Sequence, residues 1–482
     1  VADVVVPPLP SIPRLLVAGV SSGVGKTTVT VALIVALRAR GLRVAVFKCG
    51  PDYLDPTYHR RAAGTASHNL DGWMMGKEAV LETFLTSSAE ADIAIIEGVM
   101  GLFDGASASS SEGSSAEVAR WLGAPVLLVI DAAGMARSVA ALAHGFATFD
   151  PALRLAGLLC NRVGSDRHLA LLREACTETP VVGGMLADPS AQFPSRHLGL
   201  HAADQAVTEA DLEAWSARLL AHTELDHILA IARAAPAIER GATPTSPDRL
   251  SPHDASIESA SALRSTPAVL PRVATGRVRI GIARDEAFSF YYPYNLRLLE
   301  RLGAELVPFS PIRDARLPDV HGLYLGGGYP ELHAEALAGN HGLRDALHTF
   351  AASGRPIYAE CGGLMFLSEA IVALDQTRHA MMGLVPGVAI MQPRLSALGY
   401  VEVETRCPSL LGPAGTRFRG HQFRYSRFET GTAPSRYSVR TRRTGLLHDE
   451  GYGTGSIVAS YVHAHWASNP DVAHSFVGAC AG

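Results

Sequence analysis

The chain has 482 residues, more than one compact core usually holds, since domains run to roughly 100–200 residues. With 48% hydrophobic and 18% charged residues, general disorder is excluded. The balance of 42 basic against 46 acidic residues, a net charge of −4, gives no overall attraction to nucleic acid or to an anionic membrane. No apolar run reaches the roughly 18 residues of a membrane span, and Val1–Pro13, broken by four prolines, lacks the pattern of a signal peptide. Six scattered cysteines form no CxxC pair, so neither a zinc cluster nor a disulfide framework is indicated. A cytoplasmic enzyme is the expectation. Basic charge is written almost wholly as arginine; the three lysines, Lys26, Lys48 and Lys77, therefore invite a chemical reason each.

The first predicted strand, Leu15–Val20, runs into Gly19-Val20-Ser21-Ser22-Gly23-Val24-Gly25-Lys26-Thr27-Thr28 and then a helix over Thr27–Arg40 that closes at Gly41. Strand, glycine loop, GKTT and helix in that order form a phosphate loop, one residue longer than the usual GxxxxGK[ST]. Backbone N–H groups around Gly23, Gly25 and Thr28 would surround phosphate oxygens, Lys26 would reach the outer phosphates, and the Thr27 hydroxyl would ligate Mg²⁺. The next strand, Arg43–Lys48, ends at Cys49-Gly50-Pro51-Asp52-Tyr53-Leu54-Asp55-Pro56. Ligands collect at the carboxyl ends of parallel strands, so Lys48, Asp52 and Asp55 would face the nucleotide. Lys77 precedes Glu78 in a helical stretch and reads as solvated. A third strand, Ile93–Ile96, delivers Glu97 where a Mg²⁺-binding carboxylate is needed. Phe103-Asp104-Gly105 and Ala106–Ser115 follow as a loop beside the site, either a substrate lid or plain disorder. Strands at Val126–Ile130 and Leu155–Cys160 complete the alternation, and Asn161 would meet the adenine edge.

Residues 234–276 change texture, with six prolines among Ala, Ser and Thr, and read as a linker between a domain at 1–233 and another at 277–482. Strands Arg279–Ala283, Glu305–Phe309, Gly322–Leu325 and Pro356–Ala359 then alternate with helices such as Tyr294–Leu302 and His341–Ser353. Both halves are therefore α/β, each expected as a doubly wound sheet. In the second, Ile357–Met365 places Cys361 on a sharp strand-to-helix turn, where the helix dipole favours a thiolate. The Gly362 N–H, with Gly327 and Gly328 of LGGGYPE, would stabilise an oxyanion. A base distant in sequence comes from Ser460-Tyr461-Val462-His463-Ala464-His465-Trp466, after a strand at Ile457–Val462. His463 is the first candidate base and His421 the second; no carboxylate stands two residues after His463, leaving a dyad or an acid from elsewhere.

The second half resembles class I glutamine amidotransferases (flavodoxin-like) through AECGG, LGGGYPE and SYVHAHW, and the missing H-x-E acid is a feature of their cobalamin-pathway branch. The first resembles dethiobiotin synthetase and its relatives, which share the lengthened phosphate loop. Joined in this order with FKCGPDYLDP, NLDGWMM and IIEGVMGLFDG, the chain is similar to the cobyrinic and hydrogenobyrinic acid a,c-diamide synthases. The resemblance implies ATP with Mg²⁺, L-glutamine, and a polycarboxylate corrin tetrapyrrole as substrate. Lys26, Thr27 and Lys48 would contact phosphates; Asp52, Asp55 and Glu97 would hold Mg²⁺ or orient the substrate carboxylate; Cys361 would attack glutamine, with His463 as base. It also implies that Asp104 and the cluster Phe288–Asn295, Tyr291 and Tyr292 in particular, face the tetrapyrrole, although such aromatics equally serve core packing. Neither nucleic acid nor membrane enters as a partner, and a homodimer is left open. The sister amidases that make cobyric acid or nickel-sirohydrochlorin a,c-diamide are rival readings; so is a partitioning or switch ATPase, which has no use for Cys361.

Overall fold

The computed structural model describes residues 12–188, 207–238, 277–432 and 434–482; most of the expected linker, 239–276, lies outside them. The first domain is built on seven strands: β1 (Arg14–Gly19), β2 (Val44–Cys49), β3 (Ser67–Leu70), β4 (Ile93–Glu97), β5 (Val126–Asp131), β6 (Leu155–Val163) and β7 (Val181–Leu186). Their order is β3-β2-β4-β1-β5-β6-β7, and every pairing is parallel. Alternate residues enter different cores: Leu15, Val17, Val46 and Ile95 pack on one face, Leu16, Ala18, Phe47 and Ile96 on the other. Burial on both faces is why these strands read as unbroken apolar runs. The two strands not expected from the sequence, β3 (SHNL) and β7 (VVGGML), carry buried polar residues or paired glycines in place of such a run.

The second domain opens with the expected doubly wound sheet. β8 (Arg279–Ala283), β9 (Glu305–Phe309), β10 (Gly322–Leu325) and β11 (Ile357–Glu360) join a late strand, β20 (Ile457–Ser460), in the order β20-β11-β10-β8-β9, all parallel. Two further sheets were not legible as such. One is mixed, from β12 (Ser368–Val372), β13 (Arg378–Ala380), β14 (Val385–Met391) and β17 (Ser426–Thr430). The other is antiparallel, from β15 (Ala397–Thr405), β16 (Arg417–Arg424), β18 (Tyr437–Thr441), β19 (Leu447–Glu450) and β21 (His463–His465). The expected strand Ile457–Val462 therefore stops at Ser460, and the chain changes sheets before His463.

Residues 234–238, placed by sequence texture in the linker, belong to the first domain. Ala235 and Ile238 are buried, the Arg154 guanidinium donates to the Ala234 carbonyl at 2.8 Å, and the buried Arg14 donates to the Pro236 carbonyl.

The two domains dock through the loops and helix that follow β2 and β3. Asp71 begins the helix Gly72–Ser88: one carboxylate oxygen accepts from the Met74 N–H at 2.7 Å, while the other accepts from the Tyr400 hydroxyl of the second domain at 2.8 Å. Beside it, the Arg419 guanidinium lies over the Trp73 ring, 4.8 Å from its centroid, and donates to the Trp73 carbonyl at 2.9 Å. One apolar core runs on from the first sheet to Leu298, Tyr358 and Trp466. Because Asp71 satisfies a helix end and a domain contact together, Asp71→Ala is expected to lower unfolding stability by about 2–4 kcal/mol, and Tyr400→Phe by about 1 kcal/mol; urea midpoints measure both.

Candidate functional site

The phosphate loop follows β1 as the sequence predicts. Gly25, at φ 94°, precedes the helix Lys26–Ala39, and a Cβ there would stand 2.1 Å from the Asn161 side-chain nitrogen. Only glycine fits both the backbone and the neighbour. Asn161 itself donates to the Val24 carbonyl at 2.9 Å, so it braces the loop, a role its expected strand-end position alone did not reveal. Lys26 lies back along the loop, donating to the Ser21 carbonyl at 2.9 Å.

The carboxyl ends of β2 and β4 form a buried charge cluster against this loop. The Lys48 ammonium meets Asp55 at 2.7 Å and Glu97 at 2.9 Å, and also donates to the Gly98 carbonyl at 2.9 Å. Lys48 is 2% exposed and Glu97 0%. Burial disfavours the ammonium, yet the Asp55 and Glu97 carboxylates outweigh it and raise its pKa above the ordinary lysine value. For Glu97, burial pushes upward too, but Lys48 and His59 bring the carboxyl below its usual value. One Glu97 oxygen accepts from the Thr27 hydroxyl at 2.7 Å; the other meets His59 Nε2 at 2.6 Å. His59 was missed in the sequence, where its one clue is that it stands one helical turn after Asp55. Asp52 differs from Asp55: its oxygen accepts from the Leu54 and Asp55 N–H groups, at 2.8 and 3.0 Å, ordering the turn.

In the second domain, Cys361 begins the helix Gly362–Leu367 with φ 49° and ψ −102°, a strained elbow of the kind that lifts a nucleophile clear of its sheet. Its N–H donates to the Ser460 carbonyl at 2.6 Å. Glycines are required opposite: a Cβ on Gly327 would lie 2.4 Å from His463 Cε1, and one on Gly328, at φ 155°, 2.0 Å from the Ala287 carbonyl oxygen. A Cβ on Gly362 would lie 3.1 Å from the Gly328 nitrogen, so the two glycine segments pack closely against each other. His463 lies on β21, directly across from His421 on β16, with the rings stacked at 5.0 Å. Burial pushes the Cys361 thiol up to about 12, with Glu331 adding to the rise, and pulls His463 down to about 3. Nδ1 of His463 has no hydrogen-bond partner. Both shifts favour the uncharged forms, thiol and imidazole. Among the described residues no carboxylate pairs with His463; the buried Glu360 accepts instead from the Tyr358 and Tyr324 hydroxyls, at 2.7 and 3.0 Å, and from the Ala464 N–H at 3.0 Å.

Cys361 and His463 open onto an interdomain cavity of about 580 Å³, which the phosphate loop reaches through Ser22 while Lys48, Asp55 and Glu97 lie behind its wall. Ser22, Asp52 and Tyr53 line it from the first domain, and Cys361, Arg424 and His463 from the second. Tyr53 is the wedge between them, parallel to the Phe290 ring at 5.1 Å and 5.1 Å from the His463 ring. Tyr291, Tyr292 and Asp104, the expected tetrapyrrole contacts, do not line the cavity. Tyr291 donates to the Ala283 carbonyl and accepts from the Gly326 N–H at 2.8 Å; Tyr292 meets His421 Nδ1 at 2.9 Å; Asp104 folds back to the Gly101 N–H at 2.9 Å. Their polar groups are spent on local structure, and Phe290 faces the cavity instead.

Residues 15–200 match the CobQ/CobB/MinD/ParA nucleotide binding domain, and residues 279–471 match the CobB/CobQ-like glutamine amidotransferase domain. The cobyrinate a,c-diamide synthase of Leptospira interrogans (strain Fiocruz L1-130) is 48% identical over 473 residues, 97% of this chain and 98% of that one. The hydrogenobyrinate a,c-diamide synthase of Streptomyces coelicolor is 41% identical over 485 residues, 98% of each. The chain belongs to the a,c-diamide synthase family. Another relative with the cobyrinate name, from Syntrophotalea carbinolica, is 48% identical over 481 residues, 98% of this chain and 99% of that one. Membership in this family sets aside the partitioning ATPase, and the relatives' names favour a,c-diamide synthesis over the sister amidases. Among the described residues, no helix is long and apolar enough to cross a membrane.

Two outcomes are expected. Replacing Lys48 by Met leaves Asp55 and Glu97 buried without their cation, costing about 3–5 kcal/mol, with partial recovery in Lys48→Met/Glu97→Gln, both read from denaturant unfolding. With a thiol pKa near 12, the thiolate fraction of Cys361 rises about tenfold per pH unit. Its iodoacetamide alkylation in the ligand-free chain should climb about a hundredfold from pH 7 to 9 without a plateau, as followed by peptide mass spectrometry.

Proposed function

We propose that this chain amidates the a and c acetate carboxylates of hydrogenobyrinic or cobyrinic acid, using ATP and glutamine. The observation that carries the reading is the single cavity onto which the cysteine elbow and the phosphate-loop domain both open. A carboxylate is a poor electrophile. One of its oxygens attacks the γ-phosphorus of ATP, ADP leaves, and an acyl phosphate results; ammonia then displaces phosphate and leaves the carboxamide. The Lys48 cation stands at the strand end where the transferring charge develops, and its carboxylate partners keep it charged. Gly23, Gly25, Lys26 and Thr28 line the path expected for the phosphates. Thr27 and Glu97 offer the hydroxyl and carboxylate oxygens that suit Mg²⁺, a cation usually completed by phosphates and waters; when bound it would neutralise phosphate charge.

At the other end of the cavity, Cys361 attacks the glutamine amide carbon while its proton passes to His463. The Gly328 and Gly362 amides would stabilise the oxyanion, and ammonia leaves with the proton returned by His463; water then hydrolyses the glutamyl thioester, releasing glutamate and restoring the Cys361 thiol. Arg424, which lines the cavity from β16, would meet glutamine's α-carboxylate. Released ammonia stays inside a space already shared with Asp52 and Ser22, which supports direct passage to the acyl phosphate.

Mass spectrometry of each acid after incubation with the chain, ATP, Mg²⁺ and glutamine tests this: two successive acid-to-amide changes are expected. Cys361→Ala should lose glutamine-dependent amidation by at least about a thousandfold yet retain it with ammonium chloride. Absence of any amide from either acid with the unaltered chain overturns the reading.

A further inference from the structure

One part of the cavity is used by neither reactive centre. At its mouth stand three large apolar side chains that a soluble surface normally hides: Met100 at 39% exposure, Phe423 at 42% and Leu398 at 68%. Met100 comes from the first domain and holds φ 50°, a left-handed conformation costly for a side chain of that size. Leu398 and Phe423 come from β15 and β16, paired directly across from each other, so their side chains share one face of the antiparallel sheet. Two arginines complete the rim, Arg442 and Arg443, in the turn between β18 and β19. Arg442 is spent on the domain contact, pairing with Glu112 of the first domain at 2.8 Å. Arg443 is exposed, and no carboxylate lies within ion-pair distance of it among the described residues.

An apolar platform built from both domains beside an unopposed guanidinium matches a broad, flat, apolar ring that carries carboxylates at its edge. We propose that the amidotransferase domain supplies half of the tetrapyrrole site, with Leu398 and Phe423 facing Met100 across the macrocycle and Arg443 pairing with a peripheral carboxylate that is not being amidated. This rests on the function proposed above and adds where its substrate sits. The arrangement explains why the turn bearing Arg443 is pinned to the first domain by Arg442: the pairing cation then keeps a fixed distance from the phosphate loop, which selects the acetate presented there.

The test uses the full chain with hydrogenobyrinic acid, comparing Arg443→Ala, Arg443→Lys and Leu398→Ser. Each is run with glutamine and again with ammonium chloride as nitrogen donor, and equilibrium binding is read from the corrin absorbance. Arg443→Ala should raise the KM and Kd for the acid by about tenfold, the loss of one charge-assisted hydrogen bond. The KM for glutamine should not change, the defect should persist with ammonium, and Arg443→Lys should restore most of the affinity. Leu398→Ser should weaken corrin binding without a change in salt dependence. An unaltered KM and Kd for the acid in Arg443→Ala, or a defect that disappears with ammonium, overturns the site alone. An unaltered chain that neither binds nor amidates the acid overturns the site and the function together.

Discussion

Both reactive centres sit on loops at the carboxyl ends of parallel strands, and such loops belong to the sheet that bears them. For ammonia made at one to be used at the other, the two sheets must present those ends to each other and stay there. The Gly50–Asp55 loop and the start of the helix Gly72–Ser88 meet this requirement. Tyr53 enters the aromatic group around His463, while Asp71 and Trp73 are held by Tyr400 and Arg419. The same loop carries Asp52 into the cavity and Asp55 onto Lys48. Domain docking and assembly of the nucleotide site thus use one stretch of six residues.

Burial acts on both centres with opposite results. Lys48 and Glu97 lose solvent almost completely, but each finds opposite charge within 3 Å, and the charged forms survive. Cys361 and His463 lose solvent without such partners, and both revert to neutral. Burial alone therefore does not set the charge of either centre; the groups beside it do.

Sequence made the catalytic frame legible because its residues sit in rigid local motifs. GKTT, the strand-end Lys48 and Glu97, and the Cys361 elbow each announce a strand-to-loop junction within a few residues. What escaped was long-range. His59 reaches Glu97 across 38 positions, and its only local signal is its place one helical turn after Asp55. Asn161 was expected just past a strand ending at Cys160, yet β6 runs on to Val163, and its bond to Val24 crosses from the phosphate loop after β1 to a strand two places away in the sheet. The antiparallel sheets were hidden for another reason: β14 and β15 alternate buried with part-exposed residues, so they lack the solid apolar runs that betrayed the parallel strands. Tyr291 and Tyr292 show the limit of composition, since an aromatic cluster reads alike whether it lines a cavity or supports its wall.

The change of sheet between Ser460 and His463 bears on how the dyad is held. Cys361 hangs from the parallel sheet through Ser460, and His463 hangs from the antiparallel sheet through β16. Cys361 and His463 straddle a seam, bolted chiefly where Glu360 on β11 receives the Ala464 N–H of β21 and where Asn295 grips the Ala464 carbonyl. Asn295 belongs to the helix Pro293–Arg301, whose Arg297 and Arg301 reach Ser87 and Glu82 of the first domain. The helix that grips β21 is therefore anchored in the first domain as well as the second.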